Sequence, residues 1–161
     1  MSPGRQTLLV AIVVAICIVV DQSAKHAAGA LDSLPPLYYL GGVVRFYYVE
    51  NPGAFMSLGA ALPETARFWL FTVVAGAALL GLIAYACMCA GLRPMAVVAL
   101  AMVAGGGISN VIDRTYNSGA VIDFVGLGVG TLRTGIFNLA DAAITVGMLL
   151  LILSAFRRHA G

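Results

Sequence analysis

Four long apolar runs limit what this chain can fold into. Thr7 to Val20 continues through Asp21 into Ser23-Ala-Lys-His-Ala-Ala28, Phe68 to Ala90 carries no charge, Pro94 to Ile112 is rich in Val, Ala and Met, and Gly135 to Phe156 is apolar around Asp141. Each supplies roughly 20 helical residues, enough to cross about 30 Å of hydrocarbon. With 61% hydrophobic residues, 10% charged residues and a mean hydropathy of +0.98, the composition lies outside the range of soluble domains. The expected fold is an all-α polytopic membrane protein forming one domain over residues 1–161. Its four spans are placed at 7–28, 68–90, 94–113 and 135–156, with segments 29–67 and 114–134 outside the bilayer.

Charge sets the direction of the spans. With both termini and the Gly91-Leu-Arg-Pro94 turn in the cytoplasm, that side carries Arg5, Arg93, Arg157, Arg158 and His159, as the positive-inside rule prefers. The seven acids, Asp21, Asp32, Glu50, Glu64, Asp113, Asp123 and Asp141, then fall toward the periplasmic side. The net charge of +2 shows no basic stripe, so nucleic acid is not an expected partner. Arg5 before an apolar run, followed by Ala27-Ala-Gly-Ala30, also fits a cleaved secretory signal. The polar pattern Asp21-Gln-Ser-Ala-Lys25 and the three later spans favour an uncleaved first helix. Cys17, Cys87 and Cys89 lie in predicted spans, and their odd number favours packing over disulfide or metal.

Segment 29–67 has its own pattern. Leu37-Tyr-Tyr-Leu40, Gly41-Gly42 and Val43-Val-Arg-Phe-Tyr-Tyr-Val49 read as two strands joined by a two-residue turn. Gly119 to Gly126 and Gly130 to Thr134 can add strands to a small sheet lying on the outer membrane face. Pro63 to Trp69 reads as an interfacial lead-in to the second span, with Trp69 as an anchor.

The polar residues at this end carry the chemistry. A carboxylate in a bilayer core costs about 2.5–3.5 kcal/mol on insertion scales, so Asp141 within an apolar helix marks a functional site. Asp123, in Ala120-Val-Ile-Asp-Phe-Val125, supplies a second acid. Asp21 and Lys25, four apart, share a helix face, which fits either a helix-end ion pair or a site role. Asn110, Asp113 and Arg114 share a face after Gly105-Gly-Gly107, where glycines allow a close helix approach. Asn138 and Asp141 share another, and Asn51-Pro-Gly53 reads as a turn that ends the sheet.

These residues, taken in order, resemble the lipoprotein (type II) signal peptidases of bacteria. The resemblance covers nearly the whole chain through Asp21-Gln-x-x-Lys25, Glu50-Asn-Pro-Gly-Ala54, Gly105-Gly-x-x-x-Asn110-x-x-Asp-Arg114, Val121-Ile-Asp-Phe124 and Phe137-Asn-x-Ala-Asp141. It implies an inner-membrane aspartyl endopeptidase with four transmembrane helices, a periplasmic β-cradle and an extended periplasmic loop bearing a short helix. Such an enzyme cleaves prolipoproteins just before a diacylglyceryl-modified cysteine, needs no metal or cofactor, and is inhibited by globomycin-type cyclic peptides. The chain is expected to act as a monomer among membrane lipids. By position the resemblance assigns Asp123 and Asp141 as catalytic. Asn51, Gly53, Asn110, Arg114, Asn138 and Ala140 then line or support the site, with Asp21, Lys25 and Asp113 in supporting roles. Phe55-Met56 and Ser109 depart from the family pattern and bear on the shape of the substrate pocket.

Carboxylate physics supplies a mechanism. Two acids sharing a site do not both ionise cheaply, so one holds a proton while the other activates water. Diacylglyceryl chains contribute about 0.8 kcal/mol per buried CH₂, which favours lateral binding of lipidated substrate past Phe55, Met56 and the apolar faces of the second and third helices. The loop near Ala60 to Ala66 is a candidate cover for the site. A small ion transporter is the main rival, because intramembrane acids paired with Lys or Arg also mark relays. Against it, the two halves of the chain do not repeat and the acids gather near one surface. A structural subunit is a third reading. A phosphotransferase lacks recognisable phosphate- or Mg²⁺-binding groups.

Overall fold

A computed structural model describes residues 1–53 and 59–159. Phe55 and Met56 lie outside the described residues. The first helix, α1 (Pro3–Ala28), starts at a proline, whose missing N–H costs nothing in a first turn. Strands β1 (Leu37–Tyr39) and β2 (Val44–Asn51) follow. Next comes one continuous helix, Glu64–Met88, formed by α2 (Glu64–Phe68), a π-helical stretch (Trp69–Val74) and α3 (Ala75–Met88). The chain then forms α4 (Pro94–Tyr116), β3 (Val121–Val129), β4 (Leu132–Arg133) and α5 (Leu139–His159).

Among the described residues four helices are long and apolar enough to cross a membrane, so the chain is a multi-pass membrane protein carrying a small antiparallel sheet. Helix α4 is their hub: half of its apolar window is buried inside the bundle, against 6–17% for the others. Three consecutive glycines explain how. A Cβ at Gly105 would come within 2.8 Å of Cys17 on α1, one at Gly106 within 2.5 Å of the Ala140 carbonyl oxygen on α5, and one at Gly107 within 2.5 Å of Leu79 on α3. The sequence predicted one close helix approach at this stretch. Successive helical residues point about 100° apart, so the glycines admit three. Leu8, Ile12, Ile16 and Val19 of α1 and Leu149, Ile152 and Leu153 of α5 point outward, exposed, where hydrocarbon would solvate them.

The sheet has the order β1-β2-β3-β4 with antiparallel neighbours. The predicted two-residue turn is longer: Tyr39 pairs with Val44, and residues 40–43 close the hairpin. Leu40 joins Gly41 and Gly42 at positive φ, and the Val43 N–H bonds the Leu40 carbonyl oxygen at 3.3 Å. Between the Phe46↔Val125 and Val49↔Asp123 pairs, two residues of β2 oppose one of β3. This bulge resets the register ahead of Asp123, a frequent device beside active sites.

The fourth span begins later than predicted. Instead of a helix from Gly135, Phe137 pairs with β3: its N–H bonds the Val125 carbonyl oxygen at 2.8 Å, and its own carbonyl oxygen accepts the Phe124 and Val125 N–H groups. Helix α5 starts only at Leu139. Pairing with an otherwise open strand edge satisfies backbone groups that a membrane surface leaves exposed. At the other boundaries, the second span starts at Glu64 and ends at Met88, which leaves Cys89 extended beyond the helix.

Candidate active site

The bulged sheet and the late start of α5 place Asp123 and Asp141 on either side of Asn138. The Asn138 Oδ1 oxygen accepts the Asp141 backbone N–H at 2.8 Å, capping the first turn of α5, and its Nδ2 donates to Asp123 Oδ1 at 2.7 Å. One fully buried amide therefore joins the strand acid to the helix acid. Asn51 is a diagonal same-face neighbour of Asp123 across β2 and β3, and its Nδ2 donates to Asp123 Oδ2 at 2.9 Å. The Asn51 Oδ1 oxygen accepts the Gly53 N–H at 3.0 Å, so the turn predicted to end the sheet also orients a site amide. Asn110 donates to Asp141 Oδ1 at 2.9 Å. As an N3 residue near the positive end of the helix dipole, Asp141 is favourably placed for a negative charge.

Beneath the acids lies a second buried layer. Lys25 Nζ reaches Asp21 Oδ2 and Asp113 Oδ2, each at 2.7 Å, and donates to Asn110 Oδ1 at 2.9 Å. Asp21 and Lys25 are 0% and 2% exposed, so the ion pair that their spacing allowed does form, and it is buried. The Asp21 Oδ1 oxygen accepts the Ala140 N–H at 2.8 Å, and Asp113 Oδ2 accepts the Ile122 N–H at 3.0 Å. These two carboxylates thus pin the first turn of α5 and the start of β3 to the bundle.

Asn110 shares Lys25 with Asp113 and the cavity with Arg114, but Asp113 and Arg114 part company. Asp113 turns toward α1, whereas Arg114 turns the other way, donating from Nη2 to the Gly53 carbonyl oxygen at 2.9 Å and lying 5.6 Å from the Phe71 ring centroid. Its buried Nε–H has no acceptor among the described residues.

Ser109, expected to shape the substrate pocket, is fully buried and donates to Asp21 Oδ2 at 2.7 Å instead. Gln22 was not singled out from the sequence. Its amide donates to the Ser109 hydroxyl at 3.0 Å and to Asp113 Oδ1 at 2.8 Å. Its place directly after Asp21 in the first motif was the available signal.

Both acids open onto a cavity of about 710 Å³. Asn51, Asn110 and Arg114 share its polar end, and Phe71, Leu79, Leu82, Val103, Ile144 and Met148 carry it down between α3, α4 and α5. The fourth span contributes to this wall, although only the second and third were expected to. Phe71 also meets the loop: a Cβ at Gly59 would lie 2.8 Å from its ring, and Arg67 holds the loop by donating to the Ala60 carbonyl oxygen at 3.0 Å.

Asp123 stands on β3, outside the spans. Burial pushes its carboxyl up to about 6, opposed by the Asn51 hydrogen bond and helped by the nearby Asp141 charge. A site that keeps a proton on one acid near neutrality while a second acid stays close suits general acid–base chemistry. Among the described residues, no group of three or more His, Cys, Asp or Glu side chains is disposed to hold a metal.

The sequence matches the family described as signal peptidase (SPase) II over residues 13–157. It is 38% identical over 149 residues to a lipoprotein signal peptidase of Paraburkholderia phymatum, covering 92% of this chain and 88% of that protein. A lipoprotein signal peptidase of Cellvibrio japonicus is 35% identical over 141 residues, covering 88% and 82%. A solved structure described as a bacterial membrane enzyme shares the fold, with a TM-score of 0.74 at 21% identity over 92% of this chain and 87% of that one.

Proposed function

The chain belongs to the signal peptidase II family, and we propose that Asp123 and Asp141 form the catalytic pair with which it cleaves the signal peptide of a prolipoprotein. The observation that carries this reading is the Asn138 amide, which binds Asp123 with one end and the Asp141 backbone with the other at the mouth of an otherwise apolar cavity. The two acids share one proton, and the pair titrates as a unit. The ionised member takes a proton from water as that water attacks the scissile carbonyl carbon. The protonated member donates to the carbonyl oxygen, giving a neutral gem-diol. Collapse of this diol returns a proton to the dyad and delivers one to the leaving amine, which restores the starting state. Arg114, whose Nε–H has no acceptor among the described residues, donates to a substrate carbonyl, and Asn51, Asn110 and Asn138 hold the acids in place.

The scissile bond lies immediately before a diacylglyceryl-modified cysteine, whose chains approach laterally from the bilayer into the wall formed by α3, α4 and α5. Both termini face the cytoplasm, and the sheet and dyad lie at the periplasmic face of the bacterial inner membrane, as the arginine distribution supports. The enzyme acts as a monomer, the loop held by Arg67 covers the site, and globomycin-type cyclic peptides compete for the cavity.

The test is cleavage of a diacylglyceryl-cysteine prolipoprotein by purified wild type, Asp123→Asn and Asp141→Asn, each first shown to insert and fold in detergent. Signal-peptide release by wild type and none by either variant is expected. Full activity in either variant would remove that residue from the dyad. Equal cleavage of the unlipidated precursor would remove the lipid from substrate choice.

A further inference from the structure

A recess of about 520 Å³ lies between the start of the second span and the end of α4, and it shares Arg114 with the dyad cavity. Its lining is of another kind. Glu64, Thr65, Arg67, Thr115 and Ser118 make it polar, whereas the dyad cavity is walled mostly by hydrocarbon. The chemistry at the two acids leaves this recess unused.

Two helices join the recess to the dyad cavity. On the second span, Phe68 lines the recess and Phe71 lines the cavity. On α4, Thr115 lines the recess, Val111 lines the cavity and Arg114 lines both. Residues three or four apart stand on one helix face, about 5.4 Å along the axis, so the two spaces are neighbours on both helices. An extended peptide advances about 3.3 Å per residue. A chain crossing Arg114 therefore needs about two residues to pass from one space to the other.

We infer that this recess takes the residues following the lipidated cysteine, and that Glu64 discriminates among them by charge; the inference rests on the peptidase reading above. The signal peptide and the acyl chains are apolar and belong with hydrocarbon. The chain after the cysteine is the polar part of the substrate, and it needs charged or hydroxyl partners wherever it leaves water. The recess offers these. Its two guanidinium groups are already held by backbone: Arg67 Nη1 donates to the Ala60 and Leu62 carbonyl oxygens at 3.0 and 3.3 Å, and Arg114 Nη2 donates to that of Gly53 at 2.9 Å. Glu64, exposed in the first turn of its helix, makes no ion pair or hydrogen bond among the described residues. Its carboxylate is the charge left to meet a substrate side chain, where it attracts a basic group and repels an acidic one.

The test uses the purified protein in detergent and three diacylglyceryl-cysteine substrates identical up to the cysteine. One continues with lysine at the second and third positions after the cysteine, one with aspartate there, and one ends at the cysteine as an amide. Wild type, Glu64→Gln, Asp32→Asn and Thr115→Trp are compared. Asp32→Asn removes an exposed acid that lines neither the recess nor the dyad cavity, and Thr115→Trp fills the recess without changing charge. The readout is the ratio of kcat/KM between substrates within each enzyme, from which any loss of folded protein cancels.

Glu64→Gln should lower the lysine-to-aspartate ratio about fivefold, the combined effect of one lost attraction and one lost repulsion between exposed charges. Asp32→Asn should keep the wild-type ratio. Thr115→Trp should slow both longer substrates severalfold relative to the one that ends at the cysteine. A ratio that Glu64→Gln leaves unchanged, an equal fall in Asp32→Asn, or equal slowing of all three substrates by Thr115→Trp would overturn the inference and leave the peptidase reading standing. Failure of wild type to cleave any of the three would remove both.

Discussion

Asp21 accepts the Ala140 backbone N–H at 2.8 Å, so a carboxylate on the first helix holds the first turn of the last helix. The residue it holds precedes Asp141 directly. Asp21 is therefore placed to act as a positioning residue, setting the height of the proposed catalytic acid Asp141 relative to its partner. The same carboxylate neutralises Lys25 and accepts from Ser109, which ties the acid's position to α1 and α4 together.

Asp21→Ala should lower stability by about 2–6 kcal/mol, because Lys25 keeps Asp113 as a partner but the buried Ala140 N–H and Ser109 hydroxyl lose their acceptor, at about 1–3 kcal/mol each. Asp21→Asn keeps an acceptor for the Ala140 N–H and should retain more stability and measurable turnover. Thermal unfolding in detergent and single-turnover cleavage check both. Equal behaviour of the two variants would mean that the Ala140 hydrogen bond does not matter.

The proposed dyad predicts a pH profile. With the Asp123 carboxyl pushed up to about 6 by burial, kcat/KM should fall as pH rises through that region, because the pair then loses its proton donor. The Asn51 hydrogen bond favours the ionised form. Its removal in Asn51→Ala lets Asp123 keep its proton to higher pH, and the alkaline limb should move upward. A limb that stays put or moves down would separate Asp123 from the titration that controls turnover.

Gly106 predicts a backbone effect. A Cβ there would stand 2.5 Å from the Ala140 carbonyl oxygen, so Gly106→Ala must displace the start of α5. A shift of about 1 Å at a catalytic group costs on the order of 100-fold in rate, and kcat should fall by that order with the protein still inserted. Gly81→Ala is the control, because nothing lies within 4 Å of the added carbon. It should keep full activity, and a comparable loss there would show that the assay reports general damage.

Arg114→Lys should lower kcat/KM by about tenfold or more, mainly through KM. Lysine retains the charge but not the fork that reaches the Gly53 and Asn110 carbonyl oxygens while lying over Phe71. Steady-state kinetics on lipidated substrate decide this. Wild-type KM in the lysine variant would reduce Arg114 to a source of charge.

The spans were legible because the bilayer requires long apolar helices, and the strands showed through aromatic and β-branched runs between glycines. The acids stood out because charge is costly in apolar sequence, and ordered motifs supplied the resemblance to a family. The sequence could not show that the last helix waits until Leu139, because a Phe137 that pairs with β3 reads as apolar in either state. Nor could it separate Asp113 from Arg114. Helical spacing gives the angle between two side chains, but only the neighbouring helices decide which of them finds Lys25 and which finds the cavity. The role of Ser109 stayed open for the same reason, since a small polar residue near a site looks alike whether it lines a pocket or bonds a buried carboxylate.

The chain by itself determined its solvent, its number of apolar helices and the acids that stand out in them, because each follows from local composition against hydrocarbon. Tertiary structure alone decided that an asparagine amide would link two acids from a strand and a helix. That contact depends on a bulge in β2, a glycine at position 106 and an aspartate on α1 acting together, and such long-range packing leaves no local pattern in sequence.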